Sequence, residues 1–202
     1  VGDKFVGSEH RVMSVRPVLT SSRNARIYAH WLLARGAKKM PSRHEFQPDV
    51  IPFDLSRELP QIYIAEILGS GDDVDFRFSL MGTLLADRLK QDATGKLLSQ
   101  MKLGGFEEEW RRSLAFALKT KMPVVSESQI VSASGMRIDL EHLAVPLSED
   151  GAHVDRILGS IDFLKAADVE ALRRVREIDW STIASHELAK RIVVANLRVD
   201  DA

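Results

Sequence analysis

The sequence predicts an α+β domain built on one five-stranded antiparallel sheet with flanking helices, and three observations carry that reading. Apolar spacing along the 202 residues runs in the order helix, two strands, short helices, a longer helix, three strands and helix again. In the stretch Asp75 to Gly95, DFRFSLMGTLLADRLKQDATG, the apolar period changes from two to helical at Gly82-Thr83, so a strand should run straight into a short helix. PVVSESQIV, MRIDLEHLAVPL and VDRILGSIDFL then follow one another across short turns at Ser132 to Gly135 and Glu149 to Gly151, the pattern of an antiparallel meander.

Residues 1 to 20 show no sustained period and read as a loosely held, flexible arm. Ser21 and Ser22 offer N-caps for the helix RNARIYAHWLLARG, whose Ile27, Tyr28, Trp31, Leu32 and Ala34 make a broad apolar stripe, with Gly36 as its stop. Residues 37 to 60 hold Pro41, Pro48, Pro52 and Pro60 and should form an extended connector over the surface. Gln61 to Leu68 is β-rich, and the GSGDD after it reads as a hairpin turn; Gly69-Ser70-Gly71 lacks both the third glycine and the following helix of a nucleotide-binding loop.

In the next strand Phe76, Phe78 and Leu80 should share one face, opposite Arg77 and Ser79. Gly82 supplies a permissive junction, Thr83 is the expected N-cap, and Leu84, Leu85 and Leu89 follow at helical spacing until the turn Asp92-Ala93-Thr94-Gly95. FEEEWRRSLAFALK places Phe106, Trp110, Leu114 and Ala117 or Leu118 on one face of the most amphipathic helix. Its acidic first turn suits the helix dipole, and Glu107-Arg111 and Glu108-Arg112 are spaced to pair on a solvated face. After the meander, Val169, Leu172 and Val175, and then Ile183, Leu188 and Ile192, recur at helical spacing.

Composition excludes much chemistry. With 45% apolar and 28% charged side chains the chain reads as an ordinary soluble, cytoplasmic protein, and no run approaches the roughly 18 apolar residues of a membrane span. No cysteine is present, which removes disulfides, thiolate catalysis, zinc-finger sites and cysteinyl cofactor adducts. The net charge of −1 divides into a basic start, with nine Lys/Arg against three Asp/Glu in residues 1 to 47, and an acidic remainder. Those bases are spread out without interleaved aromatics, so a solvated basic face is the reading and nucleic acid is not the expected partner.

The order of elements is that of PAS domains, and several short patterns resemble the PAS-like proteins found as short stand-alone chains in alphaproteobacteria. They are Trp31, Gly36, Pro41-Ser42-Arg43, Phe46, Pro48, Ile51-Pro52, Leu59-Pro60, Phe76-Arg77-Phe78, Gly82-Thr83, Thr94-Gly95 and Pro146-Leu147, spanning roughly residues 25 to 165. The resemblance implies a PAS fold enclosing a core or cavity and a sensory or protein-interaction role. It divides the chain into the arm 1–20, a PAS-like domain 21–165 and a C-terminal helical extension 166–202. It does not imply any one ligand, because one fold hosts many functions.

Enzymatic readings find little support. His186-Glu187-Leu188-Ala189-Lys190 has Lys190 where a metalloprotease helix needs its second histidine. Glu141 and His142, as neighbours on a strand, point to opposite faces, and His142 reads as a partnered structural histidine. Asp139 and Glu141 share a face that reads as the solvent side; a cone-shaped α+β hydrolase or isomerase using one of them as base is the enzyme-class alternative. The helix Phe106 to Lys119 holds no histidine of the kind haem-binding PAS sensors offer.

The expectation is therefore a non-enzymatic sensory or interaction module with no catalytic residue, metal or attached cofactor, acting through a signalling protein partner. A small apolar ligand would be lined by Phe78, Leu80, Leu85, Leu89, Phe116, Leu143 and Ile161, for each of which ordinary core packing is the bland alternative. Ile27, Tyr28, Trp31 and Leu32 are the expected association face, forming a homodimer or docking a partner.

Overall fold

A computed structural model of the chain describes residues 19–42, 44–45, 57–132 and 137–164, together with the backbone of residues 5–14. Its strands are β1 (Phe5–Ser14), β2 (Ile62–Leu68), β3 (Asp75–Met81), β4 (Val124–Ser132), β5 (Arg137–Leu147) and β6 (Arg156–Phe163). Its helices are α1 (Ser22–Arg35), α2 (Thr83–Leu89) and α3 (Phe106–Thr120). The expected helices from 166 onward, including His186 to Lys190, lie outside the described residues, as do Pro48 and Pro52.

All strands pair antiparallel in one sheet of order β1-β4-β5-β6-β2-β3. The five expected strands are β2 to β6, and the meander and the β2–β3 hairpin are both present. The sixth strand is a correction: residues read as a loose arm contain β1, which pairs along β4. Pairing with an edge strand can order a segment that has no apolar period of its own, because the ladder bonds are made by backbone groups.

Two layers cover the sheet. The inner face packs against α3, which lies over β4, β5 and β6 and buries Phe106, Trp110, Leu114 and Ala117 as its spacing predicts. The outer face receives α1, which runs along β5 and β6. The expected pairs Glu107-Arg111 and Glu108-Arg112 do not form. Glu107 turns back to accept from the N–H groups of Leu103 and Gly105 at its own helix start, Arg111 reaches Asp75 at 3.1 Å, and Glu109 is buried with Ser128. Unsatisfied backbone donors at the helix N-terminus and an opposite charge on β3 outcompete a solvent-exposed pair.

Local chemistry explains several boundaries. Ser21 caps α1 by accepting from Asn24 N–H, and Gly36 ends it with φ of 53°, its N–H bonded back to Leu32 and Leu33 carbonyls. Gly82 is the N-cap of α2 and Thr83 its first helical residue, so the expected Thr83 cap is not used. Nor is Gly82 needed for an unusual dihedral: its φ is −64°, and a Cβ there would lie 2.4 Å from the Pro60 carbonyl oxygen. The connector also departs from expectation, because Met40 and Pro41 are buried, with the Pro41 carbonyl accepting from Ser148 N–H.

Candidate functional site

Apart from a bulge in β3 and two register shifts where β1 pairs with β4, the sheet alternates, and the alternation decides which residues meet. On the inner face His142, Ile161, Tyr63, Gly159, Phe78 and Ser126 come together beneath α3. Tyr63, Phe78, Phe106 and Trp110 form one aromatic cluster, with ring centroids 4.9 Å apart for Tyr63–Trp110, 4.8 Å for Phe78–Trp110 and 5.7 Å for Phe106–Trp110. Edge-on and tilted contacts of this kind add to the burial energy of the rings. Tyr63 lies directly over Gly159: a Cβ built there would sit 2.0 Å from the phenol ring. The glycine gives the ring its place.

A polar thread crosses this aromatic interior. The Tyr63 hydroxyl and His142 Nε2 are 2.5 Å apart, His142 Nδ1 lies 3.4 Å from Ser126 Oγ, and Ser126 Oγ is 3.1 Å from Ser113 Oγ on α3. Burial pushes His142 down to about 3, so it is neutral, and pushes the Tyr63 phenol above its ordinary range. A neutral imidazole has one donor and one acceptor nitrogen, and hydroxyl groups on both sides can match either tautomer. The expected partnered, structural character of His142 agrees with these contacts.

The outer face carries a different arrangement. Glu141 is fully buried beneath the start of α1: Thr20 N–H donates to one carboxylate oxygen, and Ser21 N–H (3.1 Å) and Asn24 Nδ2 (2.9 Å) to the other. Burial, opposed by these donors and aided by the neighbouring Glu127 charge, pushes its carboxyl up to about 8. Ser21 Oγ and Arg23 both bond Asp162, Thr20 Oγ1 bonds Glu127, and Trp31 Nε1 closes the far end of the helix on the Pro146 carbonyl at 2.9 Å. Arg26 adds an ion pair of 2.6 Å to the buried Glu58. The face read as the solvent side of β5 is therefore a covered one, and Glu141 and His142 do point apart as expected.

Of the expected lining residues, Phe78 and Ile161 meet on the inner face, and Leu85 and Leu89 are buried on α2. Three are corrected. Leu143 is buried on the outer face, since it alternates with His142 and pairs with Ser160. Leu80 is 38% exposed, because a bulge at Ser79 makes both Phe78 and Leu80 pair with consecutive residues Ala65 and Ile64, and the strand flips between them. Phe116 is only half-buried at the flank of the α3 stripe.

The expected association face is also corrected. Ile27, Tyr28, Trp31 and Leu32 are all buried within the chain, so the broad stripe on α1 is taken up by its own fold. Burial pushes the Tyr28 phenol up to about 12. The residues missed by sequence reasoning are Tyr63, hidden between Ile62 and Ile64, and Trp110, read only as packing. A glycine in mid-strand, Gly159, was the available signal for a close-lying aromatic ring.

Among the described residues no group of three or more His, Asp or Glu is arranged to hold a metal ion, and no helix is long and apolar enough to cross a membrane. No curated protein matches the chain. Its fold is similar to several solved structures at low identity. One is a light-oxygen-voltage domain studied with a flavin analogue (11% identity, TM-score 0.42, 61% of this chain and 90% of that one). Others are the Rhodobacter sphaeroides LOV protein (12%, 0.43, 70% and 87%) and an RNA-binding light-oxygen-voltage receptor (12%, 0.40, 80% and 42%). The PAS domain family model matches residues 19–162, the span from the cap of α1 to the end of β6, and the chain belongs to that family.

Proposed function

We propose that the chain is a non-catalytic sensory PAS module that acts through a separate protein partner and takes a small, mainly apolar ligand in the interior between α3 and the sheet. The observation that carries this reading is the Tyr63–His142–Ser126–Ser113 thread inside the aromatic cluster. A few polar groups set in an apolar, aromatic enclosure are what orient a small molecule, and a histidine pushed by burial down to about 3 is too weak a base for efficient acid/base work at neutral pH. Of the buried carboxylates, Glu141 lies on the other side of the sheet, under α1, and does not converge with the histidine, while Glu109 on the inner face is engaged by the Ser128 hydroxyl. Any flavin taken up by this chain would bind without a cysteinyl adduct, since the sequence has no cysteine.

Native mass spectrometry of freshly purified protein tests the reading. The expected spectrum shows the 22.6 kDa polypeptide with a stoichiometric small-molecule excess, which Trp110→Ala reduces while the protein stays folded. It also reports whether the chain is the homodimer expected of it. Bare polypeptide mass under the gentlest conditions would sink the ligand. Turnover of a substrate that Glu141→Gln abolishes would sink the non-catalytic assignment.

A further inference from the structure

Glu127, Glu141 and Asp162 stand directly opposite one another on β4, β5 and β6, so three carboxylates form one rank across the outer sheet face. Like charges directly opposed across strands destabilise a sheet, and burial of the middle one strengthens the repulsion. α1 begins on this rank. Thr20 and Ser21 just before it, and its own Arg23 and Asn24, supply the contacts, and the described donors to Glu141 itself are all neutral groups. The described titratable and charged groups on the face around Glu141 are thus Glu127 from β4, Asp139 on its own strand, Asp162 from β6 and Arg23 from α1, the last bonded to Asp162 at 3.2 Å. Arg23 does not neutralise the central carboxylate.

We propose that this rank is a latch: the hold of α1 on the outer sheet face depends on whether Glu141 carries a proton, tight when neutral and weaker when ionised. A protonated carboxyl keeps acceptor capacity for the three N–H donors while relieving the repulsion from Glu127 and Asp162. The shift of this carboxyl from 4.5 to about 8 in the docked state supports the same direction. A group that binds its proton more tightly when docked favours docking below the free value and loses that contribution as pH rises through the docked one. α1 should therefore loosen as pH rises from about 4.5 towards about 8. The sheet face it leaves carries Leu143, Val145 and Leu158, an apolar strip that a signalling partner could read. This deepens the sensory reading above and rests on it only for the use made of the exposed strip.

Hydrogen exchange, corrected for the intrinsic pH dependence of amide exchange, tests the latch on the full chain without reference to ligand or partner. The ratio of protection in α1 to that in α3 should fall on the order of tenfold or more between pH 5.5 and 8.5. Glu127→Gln should move the midpoint of that fall to lower pH, since it removes a charge that raises Glu141, and Glu141→Gln should abolish the fall. A wild-type ratio that stays flat overturns the latch whatever the variants do. So does a fall that Glu141→Gln retains at the same midpoint.

Discussion

Glu141 and His142 are chain neighbours on β5, both fully buried, yet the sheet sends them to opposite sides and to opposite fates. Burial disfavours the charged form of each, so the histidine is pushed down to about 3 and the carboxyl up to about 8. The inner group is then neutral throughout the physiological range, matched by hydroxyls, and serves as a fixed part of the core. The outer group titrates within that range, among other carboxylates and at a helix start. The same physical penalty makes one face constant and the other responsive.

The largest expected effect probes the inner face. Phe78→Ala or Trp110→Ala should cost about 3 to 5 kcal/mol in chemical denaturation, because each ring is fully buried in the aromatic cluster. A loss below about 1 kcal/mol would mean the interior is loosely filled. Gly159→Ala should cost about 1 to 3 kcal/mol through the clash with the Tyr63 ring. If Tyr63→Ala in the same chain does not recover part of that loss, the ring is not what the glycine accommodates.

Removing the phenol oxygen alone is milder. Tyr63→Phe should cost about 1 to 2 kcal/mol by leaving His142 Nε2 buried without its partner, and a neutral result would show that the thread is not a satisfied network.

The pH profile of stability separates the two faces by sign. The native chain refuses a proton at His142 that the unfolded chain accepts below 6.5, so stability falls on acidification from there. It holds a proton at Glu141 that the unfolded chain releases above 4.5, so stability falls as pH rises towards about 8. Unfolding measured from pH 4 to 9 should lose its acid limb in His142→Asn and its alkaline limb in Glu141→Gln; one limb responding to the other substitution would break the comparison. Smallest of all, Leu80→Ala should change stability by no more than about 0.5 kcal/mol, the behaviour of an exposed side chain rather than a lining one.

Much of this fold was legible in the chain because its signals are local. Period changes, caps and turn residues place α1, α3 and the strands β2 to β6 within a residue or two, since apolar spacing and backbone punctuation act over single turns and hairpins. The opposed directions of Glu141 and His142 also followed from alternation alone.

What tertiary structure decided was which side is which and what lies on it. Alternation names two faces but does not say which faces the core when helices cover both, so Leu143 was expected on the wrong side and Glu141 was expected in solvent. A bulge depends on the partner strand, and nothing within DFRFSLM announces that Ser79 is the extra residue that turns Leu80 outward. β1 depends on an available edge of β4, not on its own pattern. The broad stripe of α1 could have served a partner or its own sheet, and only packing against β5 and β6 gave it to the sheet. Pairing and covering are contacts between residues far apart in the chain, and a local period holds no information about which distant surface will meet it.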